Sequence, residues 1–542
     1  MKNFEKEKSQ FKWLEKKKVN FVRDVLKHLA QKRGDAAAMY WADANKNTTI
    51  ISFETLIAEI NRTASFFENL GLKQGDVVIL VLGREQAWWN FVLAGMQLGI
   101  IISPGTTQLS TEDIAYRLEA SSARAIVTTI SLTDRVDQAA KKIAWTGIKI
   151  VSTPCNLDGW VNYDRTDHTV LPSTEYADTT INDHAFYFFT SGTTGAPKMT
   201  VHGHGYPFGH ITTSKFWLDA RENDVVWNIS DVGWAKAAWT SLFAPWLGGA
   251  AIFAFHSPHF NPETILELLE EQPITTLCAP PTAYRMFVRM EHKEIKFKAL
   301  RRCLSAGEPL NPEVIALWKQ QTGFEICEGY GQTETVILCG TFAGVATRPG
   351  SMGVPAPGID LRILDGNGNE LPPNEEGELA IRVDRTKLNG LFLEYKDDPE
   401  RTSSVFTDTG YYLTGDKAMK DMDNYIWFIG RKDDVILSAG YRIGPFEVES
   451  VLFEHPAVLE SAVISSPDDI RGEIVKAFIV LQTGFEPSQE LVEELQQYVK
   501  THTASYKYPR KIEFVSSLPK TVSGKIKRSE LKLKEWSNAR KI

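Results

Sequence analysis

The chain has 542 residues, 43% of them hydrophobic and 24% charged, with a formal net charge of -8. That length exceeds one compact core and predicts two or more domains, while the ordinary composition excludes a disordered or fibrous class. The acidic balance argues against a chain-wide nucleic-acid surface but leaves room for a local basic groove around an anionic ligand.

The N-terminal stretch MKNFEKEKSQFKWLEKKK has no apolar signal core and carries Glu5, Glu7 and Glu15. Acid-poor targeting peptides look different, so a cytoplasmic location is expected. Cys155, Cys278, Cys303, Cys327 and Cys339 are scattered without a C-x-x-C pair, which predicts reduced thiols and no zinc site. The apolar stretches 91–102 and 242–255 fall short of the ~18–20 residues that cross a bilayer and read as buried core. No stable membrane insertion is expected.

From residue 50 to 360, short apolar runs alternate with amphipathic stretches. Strands are predicted at 76–82, 123–129, 149–153, 185–190, 275–279 and 301–305, and helices at 53–70, 112–120 and 262–271. That alternation predicts an α/β architecture with largely parallel sheets. From 358 to 383 the pattern changes to a hairpin turning at Asp365-Gly366-Asn367-Gly368, and a second hairpin is expected around Asp423-Asn424. Beyond Arg431 the chain reads as a smaller α+β unit, with a strand at 477–481, a helix at 489–502 and a basic tail. The boundary is placed between a 1–432 domain and a 433–542 domain. With no Gly/Ser linker there, a defined hinge rather than a loose tether is expected at the boundary.

The strongest local motif is Thr190-Ser191-Gly192-Thr193-Thr194-Gly195-Ala196-Pro197-Lys198, directly after a strand-like run. Its backbone N–H groups and hydroxyls can surround a polyphosphate, and Lys198 adds positive charge. A Gly/Ser/Thr surface turn is the plain alternative. The spacing is not that of a Walker P-loop, so a P-loop ATPase or kinase fits poorly. No G-x-S-x-G elbow supports a serine hydrolase.

Further on stands Glu328-Gly329-Tyr330-Gly331-Gln332-Thr333-Glu334, where Tyr330 offers a face for adenine and Glu334 a hard oxygen for Mg²⁺. Tyr412-Leu413-Thr414-Gly415-Asp416 places a carboxylate after a tight turn, suited to ribose hydroxyls. Gly430-Arg431-Lys432-Asp433-Asp434, Ser438-Ala439-Gly440-Tyr441-Arg442 and Pro519-Lys520-Thr521-Val522-Ser523-Gly524-Lys525 complete the series.

Taken together, these motifs, with Ser305-Ala306-Gly307-Glu308-Pro309 and Tyr506-Lys507-Tyr508-Pro509-Arg510, resemble the adenylate-forming superfamily over nearly the whole chain. Within it the chain is most similar to medium-chain acyl-CoA synthetases. The resemblance implies a large N-terminal adenylate-forming domain with α/β sheets and a β-rich subdomain, plus a small mobile C-terminal domain. It implies ATP and CoA as co-substrates, Mg²⁺ as cofactor, and activation of a carboxylic acid through acyl-AMP.

Carried over by position, the resemblance implies that Thr190, Ser191, Gly192, Thr193, Thr194, Gly195 and Lys198 close over the β- and γ-phosphates. Gly307, Glu308, Pro309, Glu328, Gly329, Tyr330, Gly331, Gln332 and Thr333 line the adenylate site. Thr333 approaches the α-phosphate, Glu334 holds Mg²⁺, and Asp416 and Arg431 bind the ribose. Arg442 is a phosphate partner from the second domain, and Lys525 bridges the substrate carboxylate and α-phosphate. Asp433 is the implied position of the hinge. Gln108, Ala439, Gly440, Tyr441, Arg471 and Lys500 are implied CoA contacts; Ala439 stands where the family often has serine, so one hydrogen bond is in doubt there.

For the acyl pocket the resemblance points to Trp217, Trp234, Lys236, Trp239, Cys278 and Gly331. Acetate-specific relatives carry Trp at the position of Gly331, so glycine there removes a wall and admits acids longer than acetate. The tryptophans argue against a long straight tunnel, which leaves short- to medium-chain acids, branched ones included. A buried Lys236 must either snorkel outward or be paired. An aryl-CoA ligase and a stand-alone amino-acid adenylation enzyme stay open as alternatives on the same fold, and a homodimer is left open. A nucleotide-binding regulator without catalysis is disfavoured, because Lys525, Glu334 and the Gly440 loop are all present.

Overall fold

A computed structural model describes residues 4–165, 171–190, 197–290, 296–383, 390–431, 433–438, 441–468, 471–521 and 525–539. Ser191, Gly192, Thr193, Thr194, Gly195, Ala439 and Gly440, together with the Arg442 side chain, lie outside the described residues.

Local signals start and stop the elements where the sequence places them. Ser52 caps the helix Phe53–Asn69 by accepting from the Thr55 N–H, and Asn261 does the same for Pro262–Glu271, whose proline occupies the first turn. Ser110 and Asp113 form a reciprocal capping box at the start of Thr111–Ala120. Each of the six predicted strands in the first 305 residues is present, as Val77–Val81, Ala125–Thr128, Ile148–Val151, His184–Thr190, Thr276–Ala279 and Arg302–Ala306.

These strands build two large sheets. One has nine strands in the order Val354–Pro355, Cys339–Gly340, Ile326–Tyr330, Arg302–Ala306, Thr276–Ala279, Val225–Asn228, Ala251–Phe255, Ala37–Ala42 and Thr48–Ser52. The other has eight, from Glu394–Tyr395 through Lys198–Gly203, His184–Thr190, Ile101–Gly105, Val77–Val81, Ala125–Thr128 and Ile148–Val151 to Val161–Asn162. The expectation of largely parallel sheets holds at their centres; the edges are antiparallel, as at His184–Thr190 against Lys198–Gly203 and Ile326–Tyr330 against Cys339–Gly340.

The apolar stretch 91–102 finds its explanation between these sheets. Every residue of the helix Gln86–Leu98 is buried. Trp88, Trp89 and Phe91 share one apolar cluster with Val78, Leu80 and Ile102 of the second sheet and Met39, Val226, Ile252 and Leu304 of the first. The helix Phe4–Ser9 has no counterpart among the elements expected from sequence. Phe4 is buried and stacks on Phe342 at 5.3 Å, so this acidic and basic stretch is anchored by one aromatic side chain.

Leu361–Leu364, Glu376–Arg382, Tyr411–Lys420 and Ile426–Arg431 form a four-stranded antiparallel sheet containing both expected hairpins. Beyond it, Ile436–Ser438 already pairs in a five-stranded sheet with Tyr441–Ile443, Gly472–Leu481, Val458–Asp468 and Lys511–Phe514. Leu491, Leu495 and Val499 of the helix Gln489–His502 pack on Val475, Ala477 and Ile479, giving this unit its own core.

Gly353 joins the first sheet to the four-stranded one: its carbonyl accepts from the Ile426 N–H at 2.8 Å. Its φ is +88° and an added Cβ would lie 2.0 Å from the Gly340 carbonyl carbon. Gly353→Ala should therefore cost more than the ~1–3 kcal/mol of a left-handed residue alone. Gly366→Ala, whose Cβ meets nothing within 4 Å, should stay within about 0.5 kcal/mol. Equilibrium denaturation of the two variants checks the contrast, and equal losses would refute it.

Candidate active site

A cleft of about 1570 Å³ opens between the large sheets, the four-stranded sheet and the C-terminal unit. Thr190, Lys198, Gly307, Glu308, Pro309, Glu328, Gly329, Tyr330, Gly331, Gln332, Thr333, Glu334, Asp416, Arg431, Asp433 and Lys525 all line it. In the sequence these residues stand on separate segments; the ends of the parallel strands Arg302–Ala306 and Ile326–Tyr330, the antiparallel pair Thr190/Lys198, the antiparallel pair Asp416/Arg431 and the Lys525 segment bring them together.

The two ends of the Gly/Ser/Thr motif are fixed by backbone pairing, Thr190 opposite Lys198. Lys198 lies 5.3 Å from the Tyr395 ring, and burial holds its ammonium below the usual lysine range, with Arg401 adding to the effect and Glu334 opposing it. The Tyr395 hydroxyl donates to Glu334 at 2.8 Å.

Thr333 is held from below. His202 Nε2 lies 2.7 Å from the Thr333 carbonyl oxygen. Burial brings the His202 ring down to about 4, so it is neutral at pH 7 and donates through Nε2–H. Neither His202 nor Tyr395 stands out in the sequence, because one sits inside a strand and the other in a two-residue edge strand, with no motif around either.

Asp416 accepts from the Tyr330 hydroxyl at 2.5 Å and from Gln332 Nε2 at 2.9 Å, and Arg431 Nε is 3.8 Å away. Gln332 is itself fixed, donating to the Thr414 carbonyl and accepting from Tyr412. Burial pushes the Asp416 carboxyl up; Arg431, Tyr330 and Gln332 act against it. Gly307 has φ +105°, a conformation that favours glycine, next to Glu308.

Lys525 comes from the other side. Its N–H donates to Thr521 Oγ1, its carbonyl accepts from the Thr521 N–H, and Lys520 bridges Ile526, so a short paired turn presents the ammonium to the cleft. Its surroundings lower the lysine through loss of hydration first, with Glu308 and Asp416 opposing and Arg431 and Lys236 reinforcing the shift. Arg442 is placed only by its backbone, paired with Leu437.

The expected acyl-pocket residues divide. Trp234, Lys236, Trp239 and Gly331 line the cleft, but Trp217 and Cys278 do not. Trp217 is fully buried and donates from its indole to the Glu328 carbonyl, bracing the strand from behind. Cys278 is also fully buried; burial pushes its thiol up, with Lys236 opposing. Lys236 is paired, donating to the Ala306 carbonyl at 2.8 Å. The expectation that Gly331 leaves a wall missing needs correction. A Cβ there would lie 2.3 Å from Trp239 Cη2, so Trp239 already fills the space a side chain at 331 would take.

Of the CoA candidates, Gln108 lines the cleft, whereas Tyr441, Arg471 and Lys500 do not. Tyr441 is half exposed and stacks on Tyr506 at 4.2 Å. Arg471 is exposed, its N–H donating to Asp468, and Lys500 lies 4.1 Å over the Tyr508 ring.

Glu328 offers a solution test of this environment. Its carboxyl is buried and pushed up to about 8 from an ordinary 4.5, with the Leu310 N–H donating to it in opposition. The folded state then holds a proton that the unfolded chain releases, so stability is full below about 4.5 and falls as pH rises towards 8. Glu328→Gln should flatten that fall and make the unliganded protein more stable than wild type at pH 8, by at least about 1 kcal/mol. Thermal melts from pH 5 to 8 decide it; parallel curves would mean the carboxyl is charged throughout.

Comparison with known proteins agrees with this geometry. Residues 26–389 match the family model described as AMP-binding enzyme, and 447–525 match the AMP-binding enzyme C-terminal domain. The chain is 46% identical over 543 aligned positions to human acyl-coenzyme A synthetase ACSM3, mitochondrial, covering 98% of this chain and 92% of the relative. Among solved structures, the anthranilate CoA ligase AuaEII in complex with anthranoyl-AMP superimposes with a TM-score of 0.88 at 27% identity, covering 99% of this chain and 100% of that one. A Brucella canis acyl-CoA synthetase gives 0.71 at 31%, covering 99% and 98%. The chain belongs to the AMP-binding, adenylate-forming enzymes, as an acyl-CoA synthetase that ligates a carboxylic acid to CoA through acyl-AMP with consumption of ATP.

Proposed function

We propose that the acid is short- to medium-chain and aliphatic, branched acids included, and that the reaction proceeds in two domain orientations around Asp433, between a 1–432 and a 433–542 domain. The observation that carries this reading is Lys525: a turn of the C-terminal unit delivers its ammonium into a cleft built by the N-terminal strands.

In the first half-reaction the ionised carboxylate attacks the α-phosphorus of ATP. A carboxylate O–P bond forms and the bond to pyrophosphate breaks. No protein base is needed, since the nucleophile is already deprotonated at pH 7; the work is positioning two anions and offsetting their repulsion. Lys525 bridges carboxylate and α-phosphate, Thr333 donates to the α-phosphate, and residues 190–198 hold the β- and γ-phosphates. Asp416 and Arg431 take the ribose, with Tyr330 against adenine.

Glu334, a hard carboxylate near Lys198 and oriented by Tyr395, fits Mg²⁺, which characteristically takes one or two carboxylates plus substrate phosphates. When bound, the ion offsets phosphate charge. In the second half-reaction the CoA thiol attacks the acyl carbon and AMP leaves. Gln108, Ala439, Gly440, Tyr441, Arg471 and Lys500 guide CoA after the small domain turns, and Arg442 then faces phosphate.

Trp239 supports the chain-length assignment, since its ring closes the volume beside Gly331. AuaEII is an anthranilate CoA ligase and so keeps aryl acids in view, but the aliphatic reading fits a pocket narrowed by Trp234 and Trp239 better. A cytoplasmic location is part of the same proposal; ACSM3 itself is named mitochondrial. Among the described residues no helix is long and apolar enough to cross a membrane.

Two measurements test the proposal. Lys525→Ala should slow acyl-AMP formation by about 10²–10³, as for loss of a transition-state charge contact, while CoA transfer from supplied acyl-AMP survives. Equal damage to both steps would refute the two-orientation reading. Trp239→Ala should raise kcat/KM for octanoate relative to butyrate by roughly 10-fold or more, since each accommodated methylene is worth about 10–200-fold. Its stability cost should be about 3–5 kcal/mol. A wild-type optimum on aromatic acids, or a chain-length profile unmoved by the substitution, would overturn the pocket assignment.

A further inference from the structure

The helix Pro281–Arg289 carries two arginines, one turn apart, of which Arg289 reaches the C-terminal unit directly and Arg285 through Asn311. Arg285 Nε donates to Asn311 Oδ1 at 3.1 Å, and Asn311 Nδ2 donates across to Ser450 Oγ at 3.2 Å. Arg289 makes the larger contact. Nη1 donates to the Leu459 carbonyl and Nη2 to the Val458 carbonyl, both at 3.0 Å, and the guanidinium lies 4.4 Å over the Phe453 ring. Phe453 packs in turn against the apolar cluster of Tyr284, Phe287 and Trp318 in the large domain.

What makes this more than domain packing is where Val458 and Leu459 lead. The next residue of their strand, Glu460, pairs with Lys520 at 2.9 Å. Lys520 opens the turn that carries Lys525, bridging Ile526 on its far side. A short run of hydrogen bonds and ion pairs thus links the end of a large-domain helix to the lysine that enters the cleft. The fork of the guanidinium meets two consecutive carbonyls, a geometry that lysine cannot reproduce. Both carbonyls belong to the unit that turns on the reading proposed above, and on that reading the contact is made in the orientation seen here and broken in the other.

We infer that Arg289 is a positioning residue: it clamps the small domain in the orientation that places Lys525 in the cleft and must release before CoA transfer. The inference rests on the two-orientation reading proposed above. Loss of the clamp disfavours one orientation relative to the other and so acts oppositely on the two half-reactions.

The experiment measures both half-reactions separately in Arg289→Ala, Arg289→Lys, Ser450→Ala and Lys525→Ala, with a thermal melt of each. In Arg289→Ala, acyl-AMP formation should fall about tenfold or more through kcat, with little change in KM for ATP or acid. CoA transfer from supplied acyl-AMP should hold or speed up. Arg289→Lys should be intermediate, and Ser450→Ala should move the same way by a smaller factor. Equal loss in both steps, or no change in either, overturns the clamp. If Lys525→Ala splits the steps and Arg289→Ala does not, the clamp alone fails. If Lys525→Ala damages both equally, the two-orientation reading fails and takes this inference with it.

Discussion

Two anions, a carboxylate and a polyphosphate, have to meet in one cleft, and their repulsion governs how the protein is built around it. Lys198, Lys236, Arg431 and Lys525 stand on its walls. Crowding cations is itself unfavourable: burial lowers the half-buried lysines at 198 and 236, and Lys525, exposed at the cleft, is lowered by partial loss of hydration, with Arg431 and Lys236 adding to the effect. Glu308 and Asp416 offset part of that cost before substrate arrives. At 4 Å a pair of unit charges is worth about 1 kcal/mol in water but about 4 at the effective dielectric of a protein surface. A partly desolvated cleft therefore gains most from the cations when anions enter.

Charges so placed are useful only if the frame does not yield. The frame here is backbone: strands ending together at Ala306, Tyr330 and Thr190, with turns pinned by buried and half-buried side chains. His202 holds the Thr333 carbonyl, Trp217 the Glu328 carbonyl, and Tyr412 orients Gln332, which orients Asp416. Each of these donors is neutral, so it fixes geometry without adding to the charge the cleft must balance.

Much of this was legible in the sequence, for identifiable reasons. Apolar runs of strand length between capped helices placed the sheets, and the helix Pro262–Glu271 was readable to the residue because Asn261 and Pro262 mark its start. The order of the glycine- and hydroxyl-rich motifs identified the adenylating cleft. Other features carry no local signal. Trp217 and Trp239 look alike as sequence, yet one braces a strand and the other closes the cleft; only the crossing of Thr213–Leu218 behind Ile326–Tyr330 separates them. Gly331 read as a missing wall because the residue filling its space lies 92 positions earlier in the chain. Arg289 likewise meets its carbonyl partners 169 and 170 positions away.

On the proposed two-orientation reading, the small domain couples the two steps through its own rigidity. Lys525 is tied to the strand Val458–Asp468 through Lys520 and Glu460, and that strand pairs along its whole length with Gly472–Leu481. The segment Tyr441–Ile443 reaches the same sheet through Ile436–Ser438, with Ser438 opposite Gly472. Lysine turn and Tyr441 segment are thus fixed on one body, and here the first faces the cleft while Tyr441 stacks on Tyr506 outside it. In this orientation the body presents Lys525 and not Tyr441 to the cleft. On the proposed reading, rotation that admits the Gly440 loop withdraws Lys525 by the same movement, so CoA gains access only as the charge contact that drives adenylation is removed. Chemistry sets the order, since CoA attacks the acyl-AMP that the first step makes; on the same reading the stiffness of the five strands makes the exchange of one segment for the other a single movement.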